Sequence, residues 1–260
     1  MSDSLTPEQV EVLRQIRRAW PDRQLVLIGA VGLGVHLPMT WRRTGDLDLT
    51  VVADAATVAV DLQRLGFERH PKLEQRWRVP GTRVRIDVVP ASKAELDSGH
   101  MVFAESGHVM NLAGFDLAFR HTHALSLDID TSIAVATVPV IAVLKMAAWL
   151  DRPDERGRDL EDLGHILADY LAADDMRRWD DPRLAEVPDF EHQPALALGL
   201  DIAEIAELRH RQLVESFLEA VDQPDSIAFE RLARASSPGA EPQRAFRLRL
   251  DAFRAGLSTR

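Results

Sequence analysis

Asp46 and Asp48 stand one residue apart in RRTGDLDLTVV, residues 42 to 52, inside a run that otherwise reads as a strand. Side chains alternate along a strand, so both carboxylates share one face while Leu47 and Leu49 point to the other. Carboxylates this close repel unless a cation lies between them. The pair therefore reads either as a solvated strand edge or as a site for a hard cation. Mg²⁺ is the natural candidate, because it takes oxygen ligands and combines one or two carboxylates with substrate phosphates. A third acid, Asp87, lies in RVRIDVVP. There Ile86 and Val88 face a core while Arg83, Arg85 and Asp87 face away, and an aspartate in so β-branched a run goes against strand propensity. LDID at 127 to 130 repeats the Asp-x-Asp spacing but leads into polar DTS, and reads as a strand end or turn.

Three further features bear on an anion. LIGAVGLG, residues 27 to 34, places glycines where backbone can approach a ligand and where a helix N-terminus suits phosphate; the same glycines equally serve tight packing. Residues 69 to 85 carry six arginines or lysines and one acid. If Pro80-Gly81 is the centre of a hairpin turn, Arg78 faces Arg83 and Arg76 faces Arg85, all on the face of Asp87. Like charges directly opposite one another destabilise a strand pair, and either an anionic ligand or acids elsewhere would relieve that cost. Lys145 is the only charge in VPVIAVLKMAAWL, residues 138 to 150, and lysine is almost never fully buried unless paired. It either snorkels, pairs with Asp159 or Asp162 of RGRDLEDL, or binds phosphate with those acids holding it in place.

The elements that must position these residues follow from period and punctuation. TPEQ at 6 to 9 is a capping box, and Val10, Leu13, Ile16 and Trp20 then follow helical spacing. A short buried strand, Leu25 to Ile28, runs into a small-residue helical segment. LDLTVV is a strand, and AATVAVDLQRLGF a helix closed by Gly66. Residues 67 to 90 read as strands around a turn at Pro80-Gly81, and 91 to 136 as mixed short helices and strands. From residue 138 onward the periods are helical, with loops at 178 to 194 and 236 to 242. The expected fold class is α+β: residues 1–136 form a mixed sheet flanked by helices, and residues 137–260 a helical half that contributes Lys145 and the Asp159/Asp162 segment to the cleft.

Composition narrows the function classes. At 46% hydrophobic and 28% charged, the 260 residues are ordinary for a globular protein. No apolar run approaches the roughly 20 residues that span a bilayer, and the first residues lack a signal-peptide pattern, so a cytoplasmic protein with no membrane role is expected. The absence of cysteine excludes disulfides and thiolate metal sites. A net charge of −10 argues against a broad basic footprint for nucleic acid and leaves a local one. None of the nine histidines forms an HExxH pair, and HTH at 121 to 123 reads as helix end and surface.

Taken in order, Gly29-Ala30 after a strand, Arg43-Thr44-Gly45-Asp46-Leu47-Asp48-Leu49, Asp87 in a strand and LKMAAWLDRPDERGRDLEDL (144 to 163) resemble the nucleotidyltransferase family of AbiEii toxins, within the polymerase β superfamily. The resemblance covers roughly residues 23 to 170. It implies that Asp46 and Asp48 hold Mg²⁺ bound to a nucleoside triphosphate, and that Asp87 completes a second metal site and helps deprotonate the acceptor hydroxyl. It implies a triphosphate contact for Lys145, an acidic-motif role for Asp159 and Asp162, and nucleotide contacts from Gly29, Ala30, Arg43, Thr44 and Asp162. One departure stands out: the superfamily usually has Gly-Gly or Gly-Ser where this chain has Gly29-Ala30, so phosphate contact there must come from backbone amides. The implied partners are the nucleoside triphosphate, tRNA along the Arg76/Arg78/Arg83/Arg85 face, and an antitoxin protein. A small hydroxylated molecule such as an aminoglycoside, or a protein side chain, stays open as acceptor. So does a non-catalytic relative that binds nucleotide or a partner.

Overall fold

Thr6 and Gln9 satisfy each other's backbone amides, at 3.2 and 2.9 Å, and start α1 (Pro7–Ala19) as the capping box predicts. This computed structural model describes residues 5–42, 44–185, 189–237, 239 and 241–259. The chain divides into two units, Met1–Thr137 and Val138–Arg260.

In the first unit β1 (Leu25–Ile28), α2 (Gly29–His36), β2 (Asp46–Val51), α3 (Ala55–Arg64), β3 (Glu68–Arg69), β4 (Arg76–Arg78) and β5 (Arg85–Pro90) follow in order. Then come α4 (Lys93–Ser98), β6 (His100–Val102), β7 (Val109–Asn111), α5 (Phe115–Arg120), β8 (Thr122–Ser126) and β9 (Ser132–Ala136). Seven of the strands form one mixed sheet in the order β3-β4-β5-β2-β1-β9-β8, and β6 and β7 form a separate pair. β2 runs parallel to β5 and antiparallel to β1, so Asp48 lies between Asp87 and Ile28 while Asp46 is paired in register with Arg85 of β5. The opposite face is the core: Leu47, Leu49, Ile86 and Val88 pack with Leu13 and Ile16 of α1 and Val58 and Leu62 of α3. Burying that apolar set determines which way every second residue of β2 and β5 must point.

The β4–β5 hairpin differs from its expected register. Arg76 lies opposite Asp87 and Arg78 opposite Arg85, two residues away from the predicted partners. The Val79 amide donates to the Val84 carbonyl at 3.3 Å, and the Thr82 amide to Val79 at 3.3 Å, so the loop spans residues 80–83 rather than two residues. A shift of two keeps each side chain on its face and changes only whom it meets. The predicted Arg76–Arg85 clash becomes an Arg76–Asp87 ion pair.

The second unit comprises α6 (Val138–Asp151), α7 (Gly157–Asp169), α8 (Arg177–Asp180), α9 (Pro182–Ala185), α10 (Gln193–Ile205), α11 (Leu208–Val221), α12 (Ile227–Ser236) and α13 (Pro242–Ser258), with no strand among the described residues. α6 is apolar around its circumference and buried on most sides, as such a helix must be. α10 and α13 cross backbone to backbone: a Cβ on Gly199 would stand 2.3 Å from the Phe253 carbonyl oxygen. Two single helical turns, α8 and α9, occupy part of the stretch expected as loop at 178 to 194. Asp181 accepts the Arg183 amide at 2.9 Å, and Pro182 suits a helix start. Residues 186–188 of that stretch lie outside the described residues, as do Pro238 and Ala240 of the 236 to 242 loop. Ser226 caps α12, and Ala228, Leu232 and Ala233 line its buried face. No described helix is long and apolar enough to cross a membrane.

Candidate active site

Two rows of charge run across the face of the large sheet opposite α1 and α3. In the first, Arg76 of β4 faces Asp87 of β5, which faces Asp48 of β2, which faces Ile28 of β1. In the second, Glu68 of β3 faces Arg78 of β4, which faces Arg85 of β5, which faces Asp46 of β2. Asp48 and Asp87 are thus like charges placed directly opposite one another, an arrangement that costs stability unless a cation answers it.

Arginines supply positive charge here. Arg76 grips Asp87 with a two-pronged fork, Nε to Oδ1 at 2.8 Å and Nη2 to Oδ2 at 2.7 Å. Arg85 donates to Asp46 at 2.9 Å, and Arg78 to Glu68 at 3.1 Å. The hydrogen bonds donated to Asp87 raise the Arg76 pKa above its ordinary value against the opposing effect of burial, and the charges of Asp87, Asp46 and Asp48 add to it. One guanidinium therefore lies in the field of all three carboxylates. The acids do not each bring an oxygen within 4.8 Å of the other two. Of the four arginines expected on this face, three pair with acids. Arg83 is exposed in the hairpin loop, where its backbone amide donates to Glu8 at 3.4 Å.

Gly29 closes the end of the first row. Its φ of +66° is left-handed, and a Cβ there would lie 2.1 Å from Asp48 Oδ2 and 2.7 Å from Asp48 Cβ. The bare Cα is what lets Asp48 lie against the start of α2. The N-cap residue, Ile28, offers no side-chain acceptor to the first amides of that helix. Ala30 is buried at 5% exposure. Thr44 is half-buried, and Arg43 lies outside the described residues. Gly29→Ala is expected to lower stability by about 1–3 kcal/mol, from left-handed strain and displacement of Asp48. Urea denaturation measures this. Adding Asp48→Gly to the same protein should then cost less than the two changes made separately, because the side chain that clashes has gone.

The helical unit carries the second candidate cluster. Lys145 on α6 donates to Asp159 at 2.9 Å and to Asp162 at 2.6 Å, both on α7. Lys145 is 5% exposed and Asp162 fully buried. Burial alone would lower the lysine's pKa; the two carboxylates outweigh it and hold the pKa above 10.5. Arg152, just past α6, pairs instead with Asp151 and Glu155 at 3.5 Å. The Asp-x-Asp repeat at 128 and 130 has a different setting. It forms the turn between β8 and β9, where Asp128 forms an ion pair with Arg14 at 2.8 Å and accepts the Asp130 amide at 3.0 Å.

The donor set of the first cluster suits a hard divalent cation, being three carboxylates on one face that offer only oxygen. The Arg76 guanidinium already occupies a position where positive charge is stabilised by all three. Fold and site together define a mixed α/β domain with an acidic, arginine-bridged sheet face, joined in sequence to an all-helical unit. Residues 11–247 match the family described as nucleotidyl transferase AbiEii toxin, type IV toxin–antitoxin system, and the chain belongs to that family. Comparison with curated proteins found no match.

Proposed function

We propose that this chain is a Mg²⁺-dependent nucleotidyltransferase that moves a nucleoside monophosphate from a nucleoside triphosphate to an acceptor hydroxyl. The observation that carries this reading is the placement of Asp48 directly opposite Asp87 and against the bare Cα of Gly29, with Asp46 on the same face. Asp46, Asp48 and Asp87 would hold two Mg²⁺ ions, which neutralise charge on the phosphoryl oxygens and the departing pyrophosphate. The acceptor oxygen attacks the α-phosphorus in line as the bond to the pyrophosphate oxygen breaks, and most of the catalysis lies in positioning. Asp87 takes the acceptor proton. The first amides of α2, at Gly29 and Ala30, orient phosphate oxygens through backbone alone. Arg43 and Thr44 add contacts to the same oxygens. Lys145, held charged by Asp159 and Asp162, supplies the triphosphate contact that the family resemblance implies.

tRNA is the acceptor we put first, and an antitoxin protein the partner. Arg78 and Arg85 are 63% and 58% exposed, and each pairs with an acid that is itself accessible. Such surface pairs contribute little, so an RNA phosphate can replace the carboxylate at small cost. The test is incubation of the purified chain with each labelled nucleoside triphosphate and, separately, total RNA, aminoglycosides and protein. Label in RNA supports the reading. Label only in a small molecule or protein would move the acceptor to that class. Tight binding of a non-hydrolysable triphosphate without transfer to any acceptor would overturn catalysis in favour of a nucleotide-binding relative.

A further inference from the structure

We infer that Arg76 is an internal counter-ion which competes with the divalent metal for Asp87, so that metal and nucleotide load together when its fork opens. The inference rests on the proposed metal-binding role of the three carboxylates and adds to it a residue that the role does not require.

Geometry is the first support. The fork takes both oxygens of Asp87, whose side chain is 18% exposed, whereas Arg85 Nε donates to one oxygen of Asp46. Such a fork uses one lone pair on each oxygen, so a metal ligated by Asp87 would share the carboxylate with a guanidinium a few ångströms away, at a cost in repulsion. The backbone under Arg76 is held on both sides. The Gln75 carbonyl accepts the Val88 amide at 2.8 Å, and Trp77 is buried at 2% exposure. Upstream, Glu74 accepts the Ser106 amide at 2.7 Å and its hydroxyl at 2.6 Å, which pins the β3–β4 loop. With the strand so fixed, only the side chain of Arg76 can swing.

Charge is the second support. Asp46, Asp48 and Asp87 carry three negative charges, and Arg76 and Arg85 return at least two of them. A divalent ion arriving alone would make this face net positive and would meet a guanidinium already in place. A divalent ion arriving with a triphosphate brings its own anion, and the released guanidinium then finds phosphate oxygens in place of Asp87. Arginine suits that exchange because the same planar fork fits carboxylate and phosphate.

The consequence is two effects of opposite sign. In Arg76→Gln, binding of Mn²⁺ alone, read by calorimetry on the full chain, should tighten by about tenfold, since a unit charge a few ångströms away has been removed. Binding of a non-hydrolysable triphosphate in saturating Mg²⁺ should weaken by about tenfold, since a charge-assisted fork is lost. Arg76→Lys keeps the charge without the fork and should leave Mn²⁺ binding near wild type while still weakening the nucleotide. Mn²⁺ binding by Arg76→Gln that is unchanged or weaker would overturn the inference. Asp46→Asn and Asp48→Asn run alongside: if they bind Mn²⁺ as well as wild type, it is the metal reading of the whole face that fails. Thermal unfolding of each variant confirms that it is folded.

Discussion

Asp48→Asn is expected to slow nucleotidyl transfer by at least about a hundredfold while leaving the fold near its wild-type stability. Asparagine keeps the volume of aspartate, so the close approach to Gly29 and the register opposite Asp87 survive. What goes is one of the three charges proposed to hold the metal. A bound cation supplies several kcal/mol of charge stabilisation, and each 1.4 kcal/mol is a factor of ten in rate. The measurement is the initial rate of label transfer at saturating nucleotide and Mg²⁺, with thermal unfolding beside it. Asp130→Asn is the control, because it has the same Asp-x-Asp spacing but sits in the β8–β9 turn, and it should transfer at the wild-type rate. Equal rates for Asp48→Asn and Asp130→Asn would sink the metal assignment.

Lys145→Met is expected to lower stability by about 3–5 kcal/mol, the usual cost of breaking a buried ion pair from one side. The lysine is 5% exposed and Asp162 has no exposure, so water cannot replace the lost ammonium. Replacing the whole set by Lys145→Met with Asp159→Asn and Asp162→Asn should recover much of the loss, since no uncompensated charge then remains. The pH dependence follows from the direction of the lysine's shift. Its folded pKa lies above 10.5, so its contribution is full below the unfolded value of 10.5 and is lost as pH rises through the folded one. Urea midpoints of wild type and Lys145→Met should therefore differ widely at pH 8 and converge in strong alkali. A constant gap up to pH 12 would mean that the ammonium is not what holds the helices.

Much of the candidate site was legible because it is local. The side-chain period of a strand put Asp46 and Asp48 on one face from spacing alone, and Ile86 and Val88 did the same for Asp87. Gly29 was legible as a place where backbone meets a ligand or neighbour, and its positive φ against Asp48 shows the neighbour. Lys145 was conspicuous as one charge in an apolar helix, and the choice between snorkelling, pairing with Asp159 or Asp162, and binding phosphate with those acids holding it in place was not decidable from the string. Both acids hold it, because Asp159 and Asp162 lie one turn apart on α7 and face the same way. The one-turn helices α8 and α9 were hidden by Asp and Pro, which mark loops and helix starts alike.

The chain by itself determined the order of the first elements, through residue 90, the apolar face of the sheet, the residues left on the other face and the membership of the AbiEii family, because these depend on period, punctuation and residue type. Tertiary structure decided who meets whom. Hairpin register was set by where residues 80–83 could turn while Trp77, Val79 and Val84 stayed buried, and a turn with its centre one position further along satisfied that packing. That single choice changed Arg76 from a repelled neighbour of Arg85 into the counter-ion of Asp87. Parallel pairing of β2 with β5 placed Asp48 opposite Asp87 across 39 residues of chain, a separation over which spacing carries no information. Sequence puts the charges on the face; only the register makes them pairs.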